Sequence, residues 1–137
     1  MHPSRNEILW YPSEDKIKTS EMFLFMKKIN DKYKLNLKNY EELHFWSVND
    51  RELFWSEIWD YFKIIGVKGN KPYLSPENKL PGTIFFPNGK LNYAENMLKK
   101  NNNETAIIFW SENKIKKKIS WFELKSQVSA VANFLQA

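Results

Sequence analysis

Apolar positions recur at intervals of three and four through the first part of the chain and crowd into short runs near its end, so helices should come first and strands later. Phe23, Met26 and Ile29 fall three apart within Ile8 to Leu35, and Ser20 stands where an N-cap is needed; the spacing predicts one helix there. Tyr40, Leu43 and Trp46 predict a short second helix capped by Asn39. Phe54, Ile58, Tyr61, Phe62 and Ile65 predict a third. Asn49 is its expected cap, Glu52 the acidic half of a capping box, and Gly66 its C-terminal stop.

Between Val67 and Gly89 lie four of the six prolines and three of the four glycines, which predicts a long ordered connection without regular elements. Pro81-Gly82 suits a type II turn, and Asn88-Gly89 suits a second. Asn92 and Glu95 repeat the capping spacing and should start a helix from Tyr93 to Lys100, ended by the Asn101 to Asn103 run. Ala106 to Trp110 and Ile115 to Ile119 then read as a β-hairpin turning through Ser111 to Lys114. Ser120 with Glu123 opens a last helix, whose face carries Leu124, Val128, Val131, Ala132 and Leu135.

The 137 residues are 42% hydrophobic and 27% charged, enough to bury a core. No apolar run approaches the ~20 residues that span a bilayer, and the first residues lack a signal-peptide pattern, so a cytoplasmic protein is expected. Zero cysteines exclude a disulfide framework, a thiol nucleophile and thiolate metal sites. The net charge of +5 rests on 19 lysines, and the only arginines are Arg5 and Arg51. Lysines scattered among carboxylates read as solvated surface, not as a nucleic-acid stripe. Trp55 and Trp59 sit at core spacing with Phe54, Ile58 and Phe62, and the Ser56, Glu57 and Asp60 between them suit neither phosphates nor a membrane surface. Lys116 to Lys118 read as gatekeepers on an edge strand.

Catalytic patterns are missing: no GxSxG, no Gly-rich phosphate loop, no HExxH. His2 and His44 have no spaced partner for a metal, and His44 reads as a half-buried histidine. Glu41, Glu42, Glu57 and Asp60 read as solubilising charges on polar helix faces.

The order LWYPSEDKI, FWSVNDRELFWSEIWDYF, FPNGKLNYAENML, a hairpin, then ISWFELKSQVSAVANFLQA resembles the beginning of the acetoacetyl-CoA synthetase (acetoacetate–CoA ligase) family, within the acyl-adenylate-forming, AMP-dependent synthetase/ligase superfamily. Ser47, Val48, Asp50, Phe54 and Trp55 are similar to the segment shared with acetyl-CoA synthetases. Phe86-Pro87 and Leu91 to Asn96 look like the acetoacetate branch.

The resemblance implies an α+β fragment: a helical N-terminal segment at 1–103, then a hairpin and helix at 104–137 that open the α/β AMP-binding large domain. It also implies a ligase that adenylates acetoacetate with ATP and Mg²⁺ and passes the acyl group to CoA. The family's phosphate loop, ribose-binding Asp and catalytic lysine have no counterpart in residues 1–137. No catalytic, cofactor-binding or metal-binding residue is therefore assigned, and the chain alone is expected to bind none of ATP, Mg²⁺ and CoA and to be inactive. Its expected partners are the remainder of the large domain and the C-terminal domain, with small-molecule substrates, no nucleic acid and no membrane. The alternatives are a non-catalytic interaction domain derived from this segment, or a ligase for another short-chain acid such as acetate.

Overall fold

Ser20 ends one short helix and starts a longer one, because its side chain accepts from the Phe23 N–H while its backbone stays extended. The computed structural model describes residues 10–75, 81–112 and 116–137. Their elements run α1 (Glu14–Lys18), α2 (Glu21–Tyr33), α3 (Tyr40–Asn49), α4 (Arg51–Tyr61), α5 (Tyr93–Met97), β1 (Thr105–Trp110), β2 (Lys116–Ser120) and α6 (Trp121–Gln136). Where one helix was expected before Leu35, the chain forms two. His2, Arg5, Lys114 and Ile115 lie outside the described residues.

The core sits between α2, α3 and α4. Phe25, Met26, Ile29, Leu43 and Trp46 are buried, Ile29 completely, and Phe54, Ile58 and Tyr61 of α4 pack against them. Rings meet edge to face, Phe25 with Tyr61 at 5.2 Å and Trp46 with Phe54 at 6.1 Å, the arrangement favoured by the ring quadrupole. Phe23 of the expected stripe is only half-buried; Phe25 takes the inner place.

The N-terminus of α4 departs from expectation. Asn49 is the last residue of α3 and donates to the Phe45 carbonyl at 2.8 Å. Asp50 holds the cap position without a side-chain bond, and the Glu52 carboxylate accepts instead from the Tyr73 N–H at 2.9 Å. The capping box therefore does not form. The helix also ends before Gly66: Phe62 is its cap, Lys63 turns into the left-handed region at φ 49°, and Phe62 and Ile65 are exposed.

From Val67 to Gly89 the described residues hold no helix or named strand, in keeping with the prolines and glycines; the bridges Val67–Lys90 and Leu74–Phe85 and the bonds between Ser75 and Ile84 fold the connection back on itself. Phe85 and Phe86 press it onto the second side of α4, at 5.1 Å from Trp55 and 4.9 Å from Trp59. Gly69 must be glycine there, since φ is +79° and a Cβ would stand 2.7 Å from the Asn88 carbonyl. Pro81-Gly82 lies in a turn, but Gly82 is at φ 138°, far from the ~80° of the expected type II geometry. The second turn falls one residue early, on Pro87-Asn88. The Gly89 N–H closes it onto the Phe86 carbonyl at 2.7 Å, and Phe86 carries the positive φ.

Asn92 caps α5 by accepting from the Glu95 N–H, although that helix stops at Met97 instead of Lys100. β1 and β2 pair antiparallel, Ile107 opposite Ile119 and Trp110 opposite Lys116. Ser120 and Glu123 complete the expected capping box of α6.

Candidate functional site

Glu57 lies on the inner side of α4 and is 2% exposed. A buried carboxylate is costly unless paired, and α2 supplies both partners. Lys32 Nζ donates to Oε1 at 2.5 Å and Tyr33 Oη to the same atom at 2.6 Å, while Oε2 is buried without a partner. Burial pushes the carboxyl up. The Lys32 and Tyr33 hydrogen bonds and the charges of Lys32 and Lys28 outweigh it, so Glu57 is held below the usual carboxylate range. The hydrogen bond to Glu57 raises Lys32, and burial followed by the same carboxylate raises Tyr33. Glu57 is thus a brace between α2 and α4, not the surface charge expected of it.

A second group of polar contacts holds the connection and α5 to the end of α4. Lys68 Nζ donates to the Ser56 carbonyl at 3.0 Å and to Asp60 at 2.9 Å, so Asp60 is also a partner and not simply a solubilising charge. Asn96 grips Ile65 twice, accepting from its N–H and donating to its carbonyl, both at 2.8 Å. Lys99 places its ammonium on the free carbonyls of Phe62 and Lys63, where a cation suits a helix C-terminus.

The hairpin and α6 are different in kind. Along β1, Ile107, Ile108, Phe109 and Trp110 are all exposed, Trp110 to 68%. Strand alternation with the observed register puts Ile107 and Phe109 beside Ile119 and Lys117, and Ile108 and Trp110 beside Lys118 and Lys116 on the reverse face. On α6 only Trp121 and Leu124 are half-buried; Val128, Val131, Phe134 and Leu135 stand in solvent, the last two 81% and 77% exposed. The expected apolar face is there and uncovered. An open groove of about 500 Å³ separates Val128 and Lys125 from Ile65, Leu98 and Lys99. An apolar surface of this extent is uncommon on a monomeric protein.

Among the described residues no group of three or more His, Cys, Asp or Glu side chains could hold a metal ion. One groove of about 550 Å³ over Leu35, Leu37, Phe45 and Trp46 is rimmed by Glu41, Glu42 and Asp50, carboxylates that repel phosphates. His44 is exposed and not half-buried as expected, because it lies on the outer face of α3, where its ring stacks on Tyr40 at 5.9 Å. No described helix is long and apolar enough to cross a membrane.

Residues 40–97 match the acetyl-coenzyme A synthetase N-terminus family. The acetoacetyl-coenzyme A synthetase of Rhizobium meliloti (strain 1021) is 33% identical over 129 residues, which are 94% of this chain and 20% of that protein. A malonamoyl-CoA synthetase of Penicillium aethiopicum is 30% identical over 145 residues, 98% of this chain and 19% of that protein. In structure, the acetoacetyl-CoA synthetase from Streptomyces lividans superposes with a TM-score of 0.81 at 26% identity, over 95% of this chain and 21% of that one. The chain is therefore a relative of the acyl-adenylate-forming enzymes. Within them it is related to the acetoacetyl-CoA synthetases, and it has the fold of their N-terminal portion. It spans about a fifth of the length of the curated relatives it matches.

Proposed function

We propose that the chain serves as the N-terminal part of an AMP-forming acid–CoA ligase that converts acetoacetate, ATP and CoA to acetoacetyl-CoA, AMP and pyrophosphate. The observation that carries this reading is likeness along nearly the whole chain: 94% of it aligns with one acetoacetyl-CoA synthetase and 95% superposes on another. The helical body, 1–103, is a scaffold with its own core. Residues 104–137 begin the large domain, and the uncovered hairpin and α6 are where the rest of that domain packs.

The reaction explains the division of labour. A carboxylate is a poor electrophile, so ATP with Mg²⁺ supplies an adenylate before sulfur can attack. None of this chain's residues is assigned a step in that chemistry. The chain alone binds neither ATP nor CoA and is inactive, and the choice of acid belongs to side chains elsewhere in the ligase. The Penicillium relative, a malonamoyl-CoA synthetase, supports this last point: a chain of the same kind accompanies a different acid.

The test is a chimera in which this chain replaces the matching fifth of the Rhizobium meliloti synthetase. AMP release that depends on acetoacetate and CoA is the expected result. A folded chimera that forms no acyl-CoA from acetoacetate, acetate or malonamate would overturn the reading in favour of a non-catalytic interaction domain.

A further inference from the structure

Asparagine precedes glycine once in the sequence, at Asn88-Gly89. Other asparagine amides are committed: those of Asn30, Asn49 and Asn96 donate to the carbonyls of Leu37, Phe45 and Ile65. Asn88 is exposed, and its side chain makes no hydrogen bond to the described residues. Glycine has no Cβ to shield its backbone nitrogen, so that nitrogen and the Asn88 side-chain carbonyl can meet wherever the backbone allows it.

The folded backbone does not allow it. The Gly89 N–H donates to the Phe86 carbonyl at 2.7 Å, and Lys90 exchanges two backbone bonds with Val67, at 2.7 and 2.8 Å. Gly69 lies so close that a Cβ on it would stand 2.8 Å from the Asn88 Cβ. This lock is imposed from outside the turn. Phe86 sits at φ 47°, a region that a bulky residue keeps only where its surroundings fix it, and its ring packs on Trp59 at 4.9 Å and Tyr73 at 5.7 Å. Lys68 ties the same stretch to α4, with Nζ bonded to the Ser56 carbonyl and to Asp60 and 4.9 Å from the Tyr73 ring centroid.

We propose that Asn88 is a self-modification site gated by this connection: it deamidates when 86–90 lifts from α4, and the isoaspartate product cannot re-form the turn. The Gly89 nitrogen attacks Asn88 Cγ; the N–Cγ bond forms, the Cγ–Nδ2 bond breaks, and the proton of the nitrogen leaves with the side-chain amide as ammonia. Water then opens the cyclic imide, at Cγ to give aspartate or at the backbone carbonyl to give isoaspartate, whose main chain is longer by a carbon. In the closed turn the hydrogen of that nitrogen is held by the Phe86 carbonyl, so the reaction waits on opening and its rate follows the open population. The added carbon falls where Gly69 leaves no room, which also breaks the register of the Val67–Lys90 bridge. Each chain whose connection has opened for long enough is thereby marked irreversibly.

Ageing the folded 137-residue chain in mildly alkaline buffer tests this, with the peptide that carries position 88 followed by mass spectrometry and by an isoaspartate-specific methyltransferase assay. Conversion at 88 is expected to be on the order of tenfold or more slower in the folded chain than in denaturing urea. Lys68→Met should speed conversion and Gly89 amide exchange by the same factor. Equal conversion in the folded chain and in urea would overturn the gate, and no conversion in either would overturn the site itself. Faster Gly89 exchange in Lys68→Met with unchanged conversion would also overturn the gate. Should Lys68→Met fail to fold or to open the connection, urea below the unfolding midpoint opens it in the wild type. Conversion must then rise with Gly89 exchange, and conversion that stays flat contradicts the proposal. The separated isoaspartate form should exchange the Val67 and Lys90 amides faster than the unmodified chain; identical exchange would show that the product does re-form the turn.

Discussion

Tyr33 and Glu57, 24 positions apart, share a hydrogen bond of 2.6 Å in which the phenol donates to a carboxylate that is 2% exposed. With Lys32 on the same oxygen, the end of α2 is tied to the middle of α4 across the core. Glu57→Gln keeps the shape, leaves Tyr33 an acceptor and deprives Lys32 of its counter-ion. Half of the Lys32 side chain is exposed, which keeps the cost below the ~3–5 kcal/mol of breaking a fully buried pair. A loss of about 1–3 kcal/mol is expected in urea unfolding followed by tryptophan fluorescence, and about 1 kcal/mol for Tyr33→Phe. An unchanged midpoint for Glu57→Gln would show that the carboxylate does not brace the helices.

The same network sets a pH profile. Glu57 is held below its ordinary value, so the unfolded chain binds more protons in acid. Its contribution is present above about pH 4.3 and is lost as pH falls through the lower folded value. Lys32 and Tyr33 are both raised, so theirs is present below about pH 10 and lost as pH rises through the folded values. Stability should form a plateau between these limits, and Glu57→Gln should flatten both limbs. Unfolding midpoints measured from pH 3 to pH 11 on wild type and variant check this, and parallel curves would contradict it.

Asn96 and Asn92 separate two roles within one short helix. Asn92→Ala removes the cap of α5 and should cost ~1 kcal/mol. Asn96→Ala removes both bonds to Ile65 and should cost about 1–2 kcal/mol, because it unfastens α5 from the chain that follows α4. Protease digestion tells them apart: Asn96→Ala should open the connection at 64–68 to cleavage, and Asn92→Ala should not.

What was legible in the sequence was local. Ser20, Asn39, Asn92 and Ser120 cap helices within three residues of themselves, and each does so where its spacing predicted. Asn49 and Glu52 have the same spacing and fail, because α3 continues through Asn49 and the Glu52 carboxylate finds the Tyr73 N–H 21 residues on. Long-range partners of that kind leave no mark on a local pattern. Glu57 did leave one: it stands three residues after Phe54 and four before Tyr61, on the same stripe as Ile58, so its place in the core could have been read from helical spacing. The identity of its partners could not, since Lys32 and Tyr33 reach it only through the packing of α2 on α4. The apolar face of α6 was legible in part: Val128, Val131 and Leu135 stand exposed at the spacing that predicted them, while Leu124 is half-buried and Phe134, outside that stripe, is the most exposed of all.

A helical core that buries Phe25, Ile29 and Trp46 is joined to a hairpin and helix whose apolar side chains are exposed. Residue-resolved amide hydrogen exchange on the isolated 137-residue chain tests that contrast most directly. It predicts slow exchange through α2 and α4, where Phe25, Ile29 and Trp59 are buried, and fast exchange through β1, β2 and α6, together with binding of a hydrophobic dye. Uniform protection from α2 to α6 in a monomer that binds no dye would contradict it and show a chain complete in itself.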